Sequence, residues 1–217
     1  MQETVKMTPS EVLDELVERY PQLGEMKTEI YDAFRVMRDC FQKGGRIYVC
    51  GNGGSAADSE HIVGELVKSF RIARPIDKAY AEKLQAIGGA LGEEVANALE
   101  GGLPAVSLCG HPSLSTAFAN DNNPTLTFAQ QVSVYGNAGD VLVTISTSGN
   151  SKNCVCATVV AKAKDMQVVF FGGGNGGKLK GFADVSLVVP ETDTFKVQEL
   201  HLPIYHCLCA MLEREFF

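Results

Sequence analysis

The chain has 217 residues, is 45% hydrophobic and carries a formal net charge of −7. That length supports one well-buried core, so residues 1–217 are expected to form a single domain. The acidic balance argues against nucleic acid or an anionic membrane surface as the main partner, and no apolar run is long enough to span a bilayer.

Residues 10–20 and 27–42 show helical spacing, through Val12, Leu13, Leu16 and Val17 and then Ile30, Ala33, Phe34, Met37, Cys40 and Phe41. Pro21 and Gly24 break the chain between them. This helical pair, residues 1–43, precedes any strand and needs a partner surface; a helical bundle between subunits is favoured over packing on its own sheet. Residues 46–50 form a first strand, and residues 55–70 read as a helix with Ile62, Val63, Leu66 and Val67 inward. Residues 76–102 interrupt the expected return to the sheet with one or two short helices broken at Gly88-Gly89. The segment reads as a surface excursion, with a mobile lid as the alternative.

Further strands are expected at 105–108, 141–145, 168–171 and 185–189, and helices at 114–120, 126–135 and 151–164, with a last helix over 194–217. Such alternation predicts an α/β domain whose parallel sheet is covered on both faces. Ligands of that architecture sit beyond the carboxyl ends of the strands. The seven cysteines are an odd number for a disulfide framework. They read as small apolar core residues, reduced in a cytoplasmic protein whose start lacks the parts of a signal peptide.

Two strand-to-helix turns stand out. One is Gly51-Asn52-Gly53-Gly54-Ser55-Ala56-Ala57-Asp58, the other Ser146-Thr147-Ser148-Gly149-Asn150-Ser151. Glycine lets the backbone approach a ligand, and the new helix offers unpaired N–H groups and the positive end of its dipole. Two such turns suggest a phosphorylated ligand held by dipoles and hydroxyls rather than by a general positive field. One hydroxyl in the second turn is accounted for by helix capping; four crowded together point to an anion. Gly172-Gly173-Gly174-Asn175-Gly176-Gly177 reads instead as a flexible connection.

His61 and Glu65 are four apart and share a face of the helix that leaves the first turn, beside its anion-binding end; a solvated surface pair has the same spacing. The last helix carries Gln198, Glu199, His201 and His206. A set of His61, Glu65, Gln198 and His206 suits zinc by ligand type. Gln198 and His206, however, are separated by about 12 Å of helix rise. Helix irregularity, convergence of long side chains or a ligand from another subunit would each bridge that gap.

With Ala119-Asn120-Asp121 and Val197-Gln198-Glu199-Leu200-His201 added, these motifs resemble the sugar isomerase (SIS) domain family, and within it the phosphoheptose isomerase branch. The resemblance covers most of the chain. It implies a three-layer, flavodoxin-like domain with a five-stranded parallel sheet, a homotetramer and active sites between subunits. It also implies conversion of sedoheptulose 7-phosphate to a heptose 7-phosphate, with no nucleotide cofactor. Ser55, Ser146, Thr147, Ser148 and Ser151 would hold the phosphate, with Gly53 and Gly54 in the same turn. Asn52, Asn120, Asp121 and Gln198 would hold the sugar. Glu65 would be the base and His206 the acid, and His61, Glu65, Gln198 and His206 the ligands of the zinc found in some members. Aldose–ketose conversion moves a proton through an enediol, which requires one group to remove it and another to return it. A carboxylate held tightly by a metal is a poor free base, so the two roles of Glu65 compete.

Two departures from that pattern bear on the sugar: Lys68-Ser69-Phe70, followed by Arg71, stands where a Gly-Arg-Tyr run is expected, and the 76–102 excursion is longer than the usual connection. A dinucleotide-binding reading of Gly51, Gly53 and Ala56 fails because residues 71–77, around Pro75, do not form the second strand it needs. A non-catalytic regulator that binds a phosphosugar or a protein is the other alternative; it has no use for an acid–base pair.

Overall fold

The computed structural model describes residues 7–217. Five strands, β1 (Ile47–Gly51), β2 (Ala105–Ser107), β3 (Val141–Ile145), β4 (Gln167–Gly173) and β5 (Val185–Val189), form one sheet in the order β2-β1-β3-β4-β5, with every pair parallel. Among the described residues the α-helices are α1 (Pro9–Arg19), α2 (Lys27–Gln42), α3 (Gly54–Val67), α4 (Lys78–Gly88), α5 (Ala90–Ala98), α6 (Pro112–Asp121), α7 (Thr127–Tyr135), α8 (Lys152–Ala163) and α9 (Thr194–Phe216). None is long and apolar enough to cross a membrane.

Alternation along the strands divides the core in two. Ile47 and Val49, Val143 and Ile145, Val169 and Phe171 and Leu187 face a layer built from α1, α2, α3 and α9, while Tyr48, Cys50, Leu142, Val168 and Phe170 face α7 and α8. β1 and β3 are buried along their whole length, which is why both read as unbroken apolar runs. Their register, Ile47 on Val141 through Gly51 on Ile145, brings their carboxyl ends out level. The two glycine and hydroxyl turns therefore leave the sheet side by side.

The two leading helices correct an expectation. Their apolar stripes, Leu13 and Leu16 of α1 and Ile30, Phe34 and Met37 of α2, are buried within this chain against the sheet and α9. The 23 residues of α9 supply the partner surface for which an intersubunit bundle was invoked. Thr8 starts α1 with a reciprocal capping box, its hydroxyl and backbone bonded to Glu11.

α3 ends at Val67, three residues before the expected end. Arg74 is the reason: its guanidinium is fully buried and donates to the carbonyls of Leu66 (2.9 Å) and Glu65 (3.1 Å), the groups a helix terminus leaves free. The same guanidinium pairs with Glu213 of α9 at 2.8 Å, and that carboxylate also accepts from the backbone N–H of Phe70 and Arg71. A buried ion pair so fully hydrogen-bonded bolts the end of α3 to α9.

The 76–102 segment is a helical hairpin, α4 and α5, turning at Gly89 with φ 55°. The helices meet closely, since a Cβ on Gly92 would lie 2.0 Å from the Leu84 carbonyl oxygen. No residue of α4 is buried, and Ile87 is 88% exposed. An antiparallel bridge from Pro75 to Glu100 closes the base of the hairpin.

Two stability predictions follow from these buried groups. Glu213→Gln leaves Arg74 buried without its counter-charge and is expected to cost about 3–5 kcal/mol by urea unfolding. His201 of α9 has no exposed surface, contacts the Gly172 carbonyl oxygen at 3.2 Å, and is pushed by burial to a pKa of about 4. Its folded pKa lies below the unfolded one, so its contribution is present above about pH 6.5 and is lost as pH falls towards 4. About 2 kcal/mol is expected to disappear between pH 7 and pH 5, and His201→Asn should flatten that slope in paired denaturation curves.

Candidate active site

Geometry explains the glycines of the first turn. Gly53 is the N-cap of α3 with φ 56° and ψ −121°, a conformation closed to ordinary side chains, and no side chain caps the helix there. Gly54 follows because the amide of Gln198 rests on it; a Cβ would lie 2.5 Å from the Gln198 nitrogen Nε2. Ser55 is buried in the first turn of α3, and the amides of Asn52 and Asn153 exchange two hydrogen bonds, at 2.9 and 2.8 Å. Those bonds tie the first turn to the start of α8.

The second turn starts α8, and again no side chain caps the helix. The Ser151 hydroxyl, which occupies the N-cap position, is instead bonded to Ser146 Oγ at 3.0 Å, and the Ser148 hydroxyl accepts from the N–H of Asn150. Helix capping thus accounts for none of the four hydroxyls. Thr147 and Ser148 border a cavity of about 590 Å³ beyond the ends of β3, β4 and β5, shared with Asn150, Gly174 and Glu191.

The glycine run that ends β4 and continues beyond it is a packed support rather than a flexible connection. Gly149 has φ 66°, and a Cβ there would lie 1.9 Å from the Gly176 carbonyl oxygen. Gly173 donates to Thr147, Leu179 to Gly149 and Lys178 to the side chain of Asn150. Two stretches of backbone interlock with no space for a side chain between them.

α3 and α9 build the third part. They run side by side in the same direction, with Gln198 at Gly54, Tyr205 at Asp58 and His61, His206 at His61, and Glu213 beyond the end of α3. His61 Nε2 lies 3.2 Å from Glu65 Oε1 and 3.3 Å from His206 Nε2. One ligand atom from each of the three lies within 4.8 Å of the others. Glu65 is not a solvated surface residue, since its side chain is 14% exposed. Its Oε2 is buried without a hydrogen bond, and Lys68 Nζ stands 3.5 Å away. Burial, and then the neighbouring His61, hold His206 below the ordinary histidine pKa, so its ring is largely neutral at pH 7.

Several placements were not legible in advance. The Tyr205 hydroxyl lies 3.0 Å from His61 Nδ1 and 3.2 Å from Asp58 Oδ1. Burial raises the pKa of both Tyr205 and Asp58, and Asp58 Oδ2 is buried without a partner. The available signal was spacing: Asp58, His61 and Glu65 share one stripe of α3, and Gln198 and Tyr205 are two turns apart on α9. Gln198 itself lies at Gly54, about two helical turns from His61, outside the three-residue cluster. Asn120 and Asp121 are exposed at the end of α6, with Asn120 donating to Asp121. His206 borders a cavity of about 460 Å³ with Glu15, Arg19, Phe70 and Arg71, separate from the one at the hydroxyl turn. Ser69 stands where the arginine was expected; beside it, Phe70 lays its ring 5.6 Å from that of His206, while Arg71 is 3.7 Å from Glu15.

A family model described as the SIS domain matches residues 13–101 and 90–173, and the chain belongs to that family. Its relatives carry a more particular name. The phosphoheptose isomerase of Burkholderia pseudomallei is 40% identical over 175 residues, which is 81% of this chain and 76% of that protein. The phosphoheptose isomerase of Geobacter sp. (strain M21) is 36% identical over 194 residues, covering 89% of this chain and 88% of its own length. Among solved structures, phosphoheptose isomerase GmhA from Neisseria gonorrhoeae superposes with a TM-score of 0.70 at 31% identity, covering 94% of this chain and 92% of that one. The Francisella tularensis phosphoheptose isomerase gives 0.72 at 28% identity, with 92% and 93% covered.

The interlocked backbone supplies a test of the hydroxyl turn. Gly149→Ala forces both an unfavourable φ and a clash with Gly176, so a loss of at least about 1–3 kcal/mol is expected. Inorganic phosphate should raise the melting temperature of the parent but not of the folded variant, read by thermal shift.

Proposed function

We propose that this chain is a phosphosugar aldose–ketose isomerase of the phosphoheptose type, interconverting sedoheptulose 7-phosphate and a heptose 7-phosphate. The observation that carries the reading is the convergence of Glu65 and His206, an acid–base pair from two different helices, beside His61. Kinship with proteins named phosphoheptose isomerase along most of the chain supports the substrate class.

Ser55, Ser146, Thr147, Ser148 and Ser151 take the phosphate, with the two uncapped helix starts supplying N–H groups and dipole. Asn52 and Gln198, beside the first turn, hold sugar hydroxyls. Glu65 removes the proton from the carbon next to the carbonyl, and His206, whose neutral ring carries an N–H, delivers a proton to the substrate oxygen. Reversal of the two roles completes the exchange through the enediol.

Zinc fits the donor set. Two imidazole nitrogens and a carboxylate oxygen meet within 4.8 Å, and His61 Nε2 faces Glu65 Oε1 at 3.2 Å, a contact satisfied either by a hydrogen on the ring nitrogen or by a cation between the two. Bound there, the ion would polarise the carbonyl oxygen and stabilise enediolate charge.

The reading includes a homotetramer whose sites are completed by neighbouring subunits. The hydroxyl turn and the His206 side of the cluster border separate cavities of this chain, and Asn120 and Asp121 stand exposed on α6, in keeping with service to another copy. Seven free thiols accord with a cytoplasmic location.

Incubation with a panel of ketose phosphates in deuterated water should show deuterium entering the carbon next to the carbonyl for one sugar. Glu65→Gln should lower that exchange by about a hundred- to ten-thousand-fold while phosphosugar binding persists, whereas Glu199→Gln should not. Exchange absent from the parent on every sugar phosphate would leave a phosphosugar-binding regulator as the reading.

A further inference from the structure

Three groups form an ordered chain behind the acid–base cluster. Tyr205 of α9 is 1% exposed, and its hydroxyl touches Asp58 Oδ1 at 3.2 Å and His61 Nδ1 at 3.0 Å. A phenol has one hydrogen to donate. An ionised Asp58 can only accept, so that hydrogen goes to the carboxylate. The remaining bond, between the phenol oxygen and His61, must then be donated by the ring as Nδ1–H. A neutral imidazole with its hydrogen on Nδ1 has a bare lone pair on Nε2, and Nε2 is the atom that faces Glu65 Oε1 and His206 Nε2.

We propose that Tyr205 is a positioning residue of this site: held by Asp58, it locks His61 in the tautomer whose Nε2 lone pair points at Glu65 and His206. The inference rests on the isomerase reading for its catalytic meaning, but not for its geometry. At Nδ1 this chain of hydrogen bonds supplies the contact, while Nε2 meets only Glu65 and His206 and the side chain is 43% exposed, so without the phenol Nε2–H donated to Glu65 becomes the natural alternative tautomer. The ring packs edge-on against Tyr205 at 5.4 Å, so replacing the phenol by a phenyl removes the hydroxyl and little else. The arrangement would serve an electron-pair acceptor at the cluster, a divalent cation or the His206 N–H. Groups that set the far nitrogen of a ligating histidine typically influence metal affinity about 10- to 100-fold.

The experiment uses full-length protein freed of metal, labelled with ¹⁵N at its four histidines, with His61→Asn identifying the His61 signals. In the parent, the His61 nitrogens should report hydrogen on Nδ1. In Tyr205→Phe they should move to a mixture or to hydrogen on Nε2, and cobalt(II) affinity, followed by its visible absorption, should fall about 10- to 100-fold. Asp58→Asn is the second variant. It keeps the phenol and nearly all the volume, but its amide can donate to the phenol oxygen, turning the phenol hydrogen onto His61 Nδ1. It should give the same tautomer change and cobalt loss in a protein that unfolds at the parent's denaturant concentration. A parent already carrying hydrogen on Nε2 overturns the proposal. So does a folded Asp58→Asn or Tyr205→Phe with parental tautomer and cobalt affinity. These readouts need no turnover, so an inactive parent would remove the isomerase reading and leave this inference to be decided by the tautomer.

Discussion

The chemistry of this molecule depends on α3 and α9 lying side by side in one direction. The proposed acid–base pair spans both helices: Glu65, with His61, is on α3, and His206, with Tyr205, is on α9. Their alignment is fixed at both ends by groups that cannot move independently. At one end the Gln198 amide occupies the space that Gly54 leaves open. At the other, Arg74 and Glu213 form an ion pair without exposed surface, and Arg74 also takes the last carbonyls of α3. A buried charge stripped of its partner is costly, so a slip of one helix along the other is opposed by several kcal/mol. Register between the two helices therefore survives although the site itself opens to solvent.

The proposed phosphate site, in a protein with net charge −7, calls for a different device. The sheet supplies it through β1 and β3, whose level carboxyl ends start two helices together. Neither helix start is capped by a side chain, and reciprocal bonds between Asn52 and Asn153 lock the two turns into one surface. Behind them, Gly149 and Gly176 pack backbone on backbone. Such a surface is organised before any ligand arrives, which lowers the ordering cost of binding.

Two regions set this chain apart from the pattern it resembles. Ser69 puts a short hydroxyl where a longer cationic side chain was expected, and the ring of Phe70 next to it meets His206. Arg71 and Arg19 bring positive charge to the neighbouring cavity from another direction, tempered by Glu15. The α4–α5 hairpin is held together by its own close helix contact and carries exposed apolar side chains, among them Ile87 and Leu91. Its insertion leaves the sheet order and both glycine and hydroxyl turns undisturbed, because Pro75 and Glu100 bring the chain back to the body at the point where it left.

Local patterns were enough to read most of the architecture. α2 begins and ends at Lys27 and Gln42 as its spacing indicates, and β3 and β5 occupy 141–145 and 185–189. Both are consequences of neighbours in sequence: apolar period, glycine stops and β-branched runs. The candidate residues of the two turns and of the helix pair were legible for the same reason, since hydroxyls at a helix start and carboxylate–imidazole spacing are local signals. What lay beyond reach was decided by contacts between distant segments. Whether α1 and α2 cover their own sheet depends on the groove left by α9, and no periodicity reports that. A run of glycines reads as freedom until Gly149 is seen to fill the gap above Gly176. Arg74 resembles any loop arginine until Glu213, 139 residues later, takes its charge out of water. The tyrosine beside His206 could have faced any neighbour; only the packing of one helix on another put its hydroxyl between a carboxylate and an imidazole.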